Sequence, residues 1–212
     1  MESRPAPPAS IVSCVILVVA ATEHELRGVD AVLAVECGIG PVESGIRTLA
    51  VLVERRPSAL LHVGIAGAHR GCGIDMLDCV IGSQAVYCDA GSPEHAPPLL
   101  PHPALFEAAR RALPSAHVLP IGTTSRVGGA RETRVEAMEG YAVLRAAQLV
   151  GLPALEVRVI SNEIEEGDRT RWRFDEAFER LRGVTRTLLA ALPDARSPWE
   201  PDLTGSPSRP AL

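Results

Sequence analysis

Ser13 to Ala20 reads S-C-V-I-L-V-V-A, an uncharged and largely β-branched run. A strand with one wet face alternates apolar and polar residues; a run without alternation asks for cover on both faces. That requirement points to a sheet sandwiched between helices. The rival reading is a secretory signal core over Ile11 to Ala21. Only Arg4 supplies positive charge there, Pro5, Pro7 and Pro8 interrupt the start, and the run ends in T-E-H-E, with no small-residue cleavage site. The run is also too short to span a membrane. A buried first strand is the better reading.

The rest of the chain repeats the theme. Strands are expected at 31–36, 60–63, 79–87 and 117–121, and helices at 46–56, 103–113 and 174–192. Residues 92–103 carry five prolines and read as loop. The stretch 135–162 reads as a helix opening with Glu136, Met138 and Glu139. A buried strand, L-E-V-R-V-I, follows and ends in Ser161-Asn162. Strands alternating with helices predict an α/β fold: a single domain with a mixed, mostly parallel sheet sandwiched by helices. The domain is expected over 11–192, after a loose segment 1–10 and before a Pro-rich tail 193–212. Aromatics are 3% of the chain, so Val, Leu, Ile and Ala must fill the core. A net charge of -5 gives no reason to expect nucleic-acid binding. Five cysteines without C-x-x-C spacing read as reduced residues in a cytoplasmic protein.

In an open α/β sheet, ligands bind outside the carboxyl ends of strands, so polar residues there are the candidates for chemistry. Glu23 follows the first strand and reads either as a general base on water or as an exposed loop carboxylate. His24 and Glu25 beside it read as solvated. The turn C-G-I-G-P-V-E-S-G at 37–45 lacks the third glycine of the dinucleotide fingerprint, because position 43 is Glu. It is a plain turn or a close approach of backbone to ligand. Glu139 reads either as a carboxylate favoured by a helix dipole or as an acceptor for a vicinal diol such as a ribose. Asn162 reads either as a turn cap or as a carboxamide that meets a 6-oxopurine edge. Trp172, in the charged loop that follows, reads as part of a solvated face or as a cover for a pocket.

Taken in order, these motifs resemble the nucleoside phosphorylase and nucleosidase superfamily. A-T-E at 21–23 is similar to the segment that carries the nucleosidases' water-activating Glu. C-G-I-G-P-V-E-S-G resembles their glycine turn, and G-I-A-G-A at 64–68 their ribosyl-site turn. A-M-E-G-Y-A at 137–142 resembles M-E-x-x-A, and V-R-V-I-S-N resembles R-x-I-S-D. Ile65, and Asn162 in place of Asp, are similar to the futalosine hydrolases, which release hypoxanthine in menaquinone biosynthesis. The resemblance implies Glu23 as base, Met138 and Glu139 on the ribose, and Ile65 and Ala66 lining the turn under the sugar. It places Asn162 at the purine and implies a homo-oligomer without metal or organic cofactor, acting on a small-molecule purine nucleoside. The related phosphorylases hold phosphate with an Arg at the place of His62 and a Ser at that of Ile65, so water is the expected nucleophile. Rival readings are a methylthioadenosine or adenosylhomocysteine nucleosidase and a nucleoside-binding protein without turnover. The pattern also departs from the family at Leu77, where glycine is usual, at Tyr141, and in a short 122–135 segment.

Overall fold

A computed structural model describes residues 15–192 apart from 30, 32 and 93. The expected loose segment and Pro-rich tail lie outside those bounds, as does Cys14. Seven strands occur among the described residues: β1 (Ile16–Ala20), β2 (Leu33–Glu36), β3 (Ala59–Ala68), β4 (Cys79–Tyr87), β5 (His117–Thr123), β6 (Val135–Ala137) and β7 (Ala154–Glu163). The helices are α1 (Glu23–Leu26), α2 (Pro41–Arg55), α3 (Pro103–Ala112), α4 (Gly140–Leu149) and α5 (Phe174–Ala191).

The sheet is mixed and mostly parallel, as expected, with antiparallel pairing confined to β3–β6 and β4–β7. It is not open. β3 pairs with β1, β6 and β7, and the order β3–β6–β5–β4–β7 returns to β3, so five strands form a closed ring. β1 and β2 extend the sheet outward from the ring. One apolar cluster draws on all five ring strands: Ala66, Ala68, Val80, Leu119, Ile121, Val135, Ala137 and Ile160. A second cluster joins the sheet to α3 and α5 through residues such as Leu61, Val157, Leu105 and Leu181. The third joins it to α4 and α2 through Leu17, Leu60, Val143 and Leu52.

Two elements differ from expectation. The segment G-I-A-G-A is not a turn but the second half of β3, which runs to Ala68. Its glycines explain this. A Cβ at Gly64 would overlap the guanidinium of Arg158, and one at Gly67 would lie 2.9 Å from Asn162 Nδ2. The backbone therefore stays extended while neighbouring strands fill the space above it. A bulge at Ala66/Gly67 lets Gly67 pair with both Asn162 of β7 and Glu136 of β6. The second difference is β6. Residues 135–137 were expected to open a helix, but they bridge β3 and β5 as a strand. α4 starts only at Gly140, with Glu139 as its N-cap.

Candidate active site

The middle of β3 and β7 meets the start of α4, and a buried polar seam lies there. Arg158 is its centre. Its side chain is fully buried, on the same face of β7 as Glu156. Glu156 Oε1 accepts from Arg158 Nε at 2.9 Å. Arg158 Nη2 lies 2.5 Å from His62 Nε2 and 3.6 Å from Glu139 Oε2. His62 Nδ1 donates to the Val19 carbonyl at 3.0 Å, so Nε2 is the accepting nitrogen and the ring is neutral. Burial first, and Arg158 second, hold His62 well below the usual imidazole range. His62 is therefore unavailable to an anion.

The first helix supplies the surprise. Glu23 is exposed at the start of α1, whereas Glu25, expected to be solvated, is buried. Glu25 Oε1 accepts from the Ile65 amide at 2.9 Å, and Oε2 accepts from the Thr22 amide and hydroxyl at 2.9 and 3.0 Å. A Cβ on Gly64 would fall 2.7 Å from Glu25 Oε1. The carboxylate beside the Gly64–Ile65 segment of β3 is thus that of Glu25. The legible signal was T-x-x-E at 22–25, a capping-box spacing that folds the Glu back over the chain entry. Likewise, Glu156 and Arg158 are charges two apart within an apolar strand, which puts them on one buried face where they must pair.

Glu139 borders this seam, while Ala66 and Asn162 lie further along β3 and β7. Glu139 is buried and its Oε1 accepts from the Gly40 amide at 3.1 Å. Burial raises its pKa, opposed by Arg158 and by that amide. The glycine turn therefore serves as a backbone approach to a carboxylate. Met138 is half-buried directly before it, and Ile65 is half-buried above Glu25 through its amide. Ala66 is buried, with its carbonyl oxygen 3.3 Å from Ser161 Oγ. Asn162 is buried at the end of β7. Ser161 Oγ donates to Asn162 Oδ1 at 2.9 Å, and Asn162 Nδ2 donates one hydrogen to the Glu163 carbonyl at 3.0 Å. The second hydrogen on Nδ2 and the second lone pair on Oδ1 are the polar functions left to meet a ligand.

Trp172 is not over this seam by its own bonds. Its indole N–H donates to the Glu166 carbonyl at 2.9 Å, Arg169 lies over its ring at 5.3 Å, and Phe174 stacks obliquely at 5.4 Å. The loop is nevertheless tied to the site, because the Arg173 amide donates to the Ser161 carbonyl at 2.8 Å. Of the cysteines, Cys37 and Cys79 are buried, while Cys72 and Cys88 are half-exposed. Cys37 faces the seam, and burial, with Glu139 next, pushes its thiol up to about 12. It stays protonated and is no nucleophile. Among the described residues, no group of three His, Cys, Asp or Glu is arranged to hold a metal, and no helix is long and apolar enough to cross a membrane.

Comparison with known proteins bears on this geometry. The model of the phosphorylase superfamily matches residues 19–121, which carry Glu25, the 37–45 turn and the Gly64–Gly67 segment. A futalosine hydrolase of Thermus thermophilus is 29% identical over 189 residues, 77% of this chain and 83% of the relative. A futalosine hydrolase of Streptomyces coelicolor is 37% identical over 84 residues, 38% of this chain and 34% of the relative. Among solved structures, a futalosine hydrolase mutant of Helicobacter pylori superposes with a TM-score of 0.73 at 15% identity, covering 82% of this chain and 98% of that one. A methylthioadenosine/adenosylhomocysteine nucleosidase of Streptococcus pneumoniae, bound to 8-aminoadenine, superposes with a TM-score of 0.73 at 23% identity, covering 84% and 100%. The phosphorylase-superfamily pattern thus runs over residues 19–121, and over nearly all of the described residues the chain has the same fold as these solved structures.

Proposed function

We propose that this protein hydrolyses the N-glycosidic bond of a 6-oxopurine nucleoside, futalosine, to release hypoxanthine. The observation that carries the reading is the fixed carboxamide of Asn162. Ser161 donates to its oxygen and fixes the orientation of the amide, which leaves one Nδ2 hydrogen as a donor for the base edge. Both N7 and O6 of hypoxanthine are acceptors. An Asn cannot protonate N7 as a carboxylic acid would, but its N–H can stabilise negative charge as it builds on the leaving base. The curated relatives in Thermus and Streptomyces, both futalosine hydrolases, support the same substrate.

In this reading Glu139 accepts hydrogen bonds from the two ribose hydroxyls, with Met138 against the sugar and Ile65 and Ala66 beneath it. The C1′–N9 bond breaks with its electron pair going to the purine, and the sugar passes through an oxocarbenium-like state. A water oxygen then bonds to C1′ and gives a proton to Glu25. Glu25 replaces Glu23 in that role because Glu23 is exposed, while Glu25 is held against Ile65 by hydrogen bonds to both oxygens. Phosphate is disfavoured as nucleophile because His62 is neutral and both its ring nitrogens are engaged. The protein works as a homo-oligomer through the apolar outer face of α2 and α4, which continues into the site at Gly40.

The test is base release from futalosine, inosine and methylthioadenosine, each with and without phosphate. Hypoxanthine from futalosine, independent of phosphate, is the expected result. Adenine release would move the protein to the aminopurine nucleosidases, and a strict phosphate requirement would overturn hydrolysis. Glu25→Gln is expected to lower kcat about 100-fold or more, while Glu23→Gln leaves it within about threefold. The reverse pattern would return the base role to Glu23.

A further inference from the structure

Glu156 has no part in the reaction just described, yet it lies in the centre of the seam with 1% of its surface exposed. Its Oε1 accepts from Arg158 Nε, and its Oε2 has no partner. A Cβ at Gly140 would fall on this carboxylate, so the first residue of α4 rests directly on Glu156, one residue from Glu139. Glu156 is also in register with His62 across β3 and β7. The guanidinium is thereby fixed on two sides: Nε by Glu156, and Nη2 by His62 and Glu139. Nη1, buried and without a partner, lies over Gly64 beside Glu25.

Charge balance makes this arrangement consequential. Arg158 is a permanent cation. Glu156, Glu139 and Glu25 all face it, from β7, the α4 cap and α1. The remaining groups facing the seam, His62 and Cys37, are neutral. Three carboxylates around one buried cation compete for its charge, and the nearest takes the largest share. We infer that Glu156 is a positioning residue for the proposed hydrolysis: it fixes Arg158 beside Glu25 and under Glu139, and sets how much of that positive charge the two working carboxylates feel. Burial raises the pKa values of Glu139 and Glu156 alike, and Arg158 is the main opposing influence on both.

The inference rests on the proposed reading of the site, and the experiment separates the two. Glu156→Gln keeps an oxygen for Arg158 Nε and removes the charge, so more of the Arg158 field falls on Glu25 and Glu139. In hypoxanthine release from futalosine, the acid limb of kcat/KM should move down by about half a pH unit or more. A weaker base should lower plateau kcat about tenfold, with a smaller change in KM. A lowered kcat with an unmoved acid limb would mean a merely structural role, and an unchanged profile would mean no role; either overturns the inference. Carbon-13 titration of the glutamate carboxyls in ligand-free protein gives the substrate-independent readout. The Glu139 carboxyl should titrate lower in Glu156→Gln than in the wild type, and an unmoved titration overturns the inference. That arm still decides if the wild type releases no hypoxanthine, an outcome that sinks only the choice of substrate. Should Glu156→Gln not fold, Gly140→Ala displaces the carboxylate from the other side; it is expected to lower kcat, and normal kinetics would overturn the inference.

Discussion

Leu77 is held at φ 70°, a left-handed conformation that costs a side-chain-bearing residue about 1 kcal/mol or more. The strain persists because the surroundings over-determine it. The Leu77 amide donates to the Ile160 carbonyl at 2.9 Å, the Ile160 amide donates to the Asp78 carbonyl at 3.0 Å, and the Leu side chain packs on the core beneath α5. The departure from the usual glycine is thereby explained: packing offsets conformational strain. Leu77→Ala loses the packing and keeps the strain, whereas Leu77→Gly loses both. In urea unfolding, the Gly variant should therefore be more stable than the Ala variant by about 0.5–1 kcal/mol. An Ala variant equal to or more stable than Gly would show that the turn relaxes on truncation. At this scale, the positions of Glu139 and Asn162 were legible because Glu139 opens an apolar helix and Asn162 closes an apolar strand. For Glu25 only the capping-box spacing to Thr22 was legible; that its other oxygen meets the Ile65 amide of β3 depends on long-range packing.

Two loops beside the end of β7 are held together by a clasp. His69, just after β3, has Nδ1 2.6 Å from Glu165 Oε1 and Nε2 2.8 Å from the Ala130 carbonyl. Both neighbours are acceptors, so both contacts are hydrogen bonds only when the ring is doubly protonated. From the other side, Glu136 of β6 accepts from the Gly128 and Ala130 amides, each at 2.6 Å. The loop between β5 and β6 and the loop after β7 are thus tied together beside Ile164 and Asn162. The bond to Glu165 raises the His69 pKa, and the same bond pulls Glu165 down to about 2. The signs fix a window. The His69 contribution is full below the unfolded value of about 6.5 and is lost as pH rises through the raised folded value; that of Glu165 is lost as pH falls from about 4.5 through its depressed value. The pair is half-exposed, so the effect is modest. The difference in melting temperature between wild type and His69→Ala should be largest between about pH 4.5 and 6.5 and shrink by pH 9; a difference constant from pH 5 to 9 would rule out the imidazolium clasp. The clasp was not legible in the sequence. V-E-A read as the start of a helix because three residues carry too little periodicity to separate the two structures, and only long-range pairing with β3 and β5 decides.

At the scale of the whole molecule, α2 is turned inside out. It buries Ser44 and Thr48, whose hydroxyls have no partner, and exposes Val42 (72%), Ile46 (64%) and Val53 (54%). The helical spacing of that stripe was legible, and so was the alternation that makes an α/β sandwich. What covers the stripe was not, because periodicity names an apolar face without naming its partner. The ring closure was hidden for a related reason: it depends on the bulge at Gly67, where β3 leaves β7 for β6. Leu149 of α4 is exposed beside α2, and the groove between them, about 400 Å³, is lined by Val42, Ile46, Tyr87, Tyr141 and Leu149. A contiguous exposed apolar surface of this kind is characteristic of an interface. It is continuous with the site, since Ile39 is exposed and the next residue, Gly40, holds Glu139 through its amide. A second copy seated here would cover the groove and fix the glycine turn at once. Sedimentation should therefore show a dimer or larger for the wild type and a shift to monomer for Val42→Asp/Ile46→Glu. In the same variant KM for the nucleoside should rise more than kcat falls, because the substitutions release the turn that supports Glu139 while leaving Glu25 in place. A wild type that stays monomeric at tens of micromolar would remove self-association as the reason for the inverted helix.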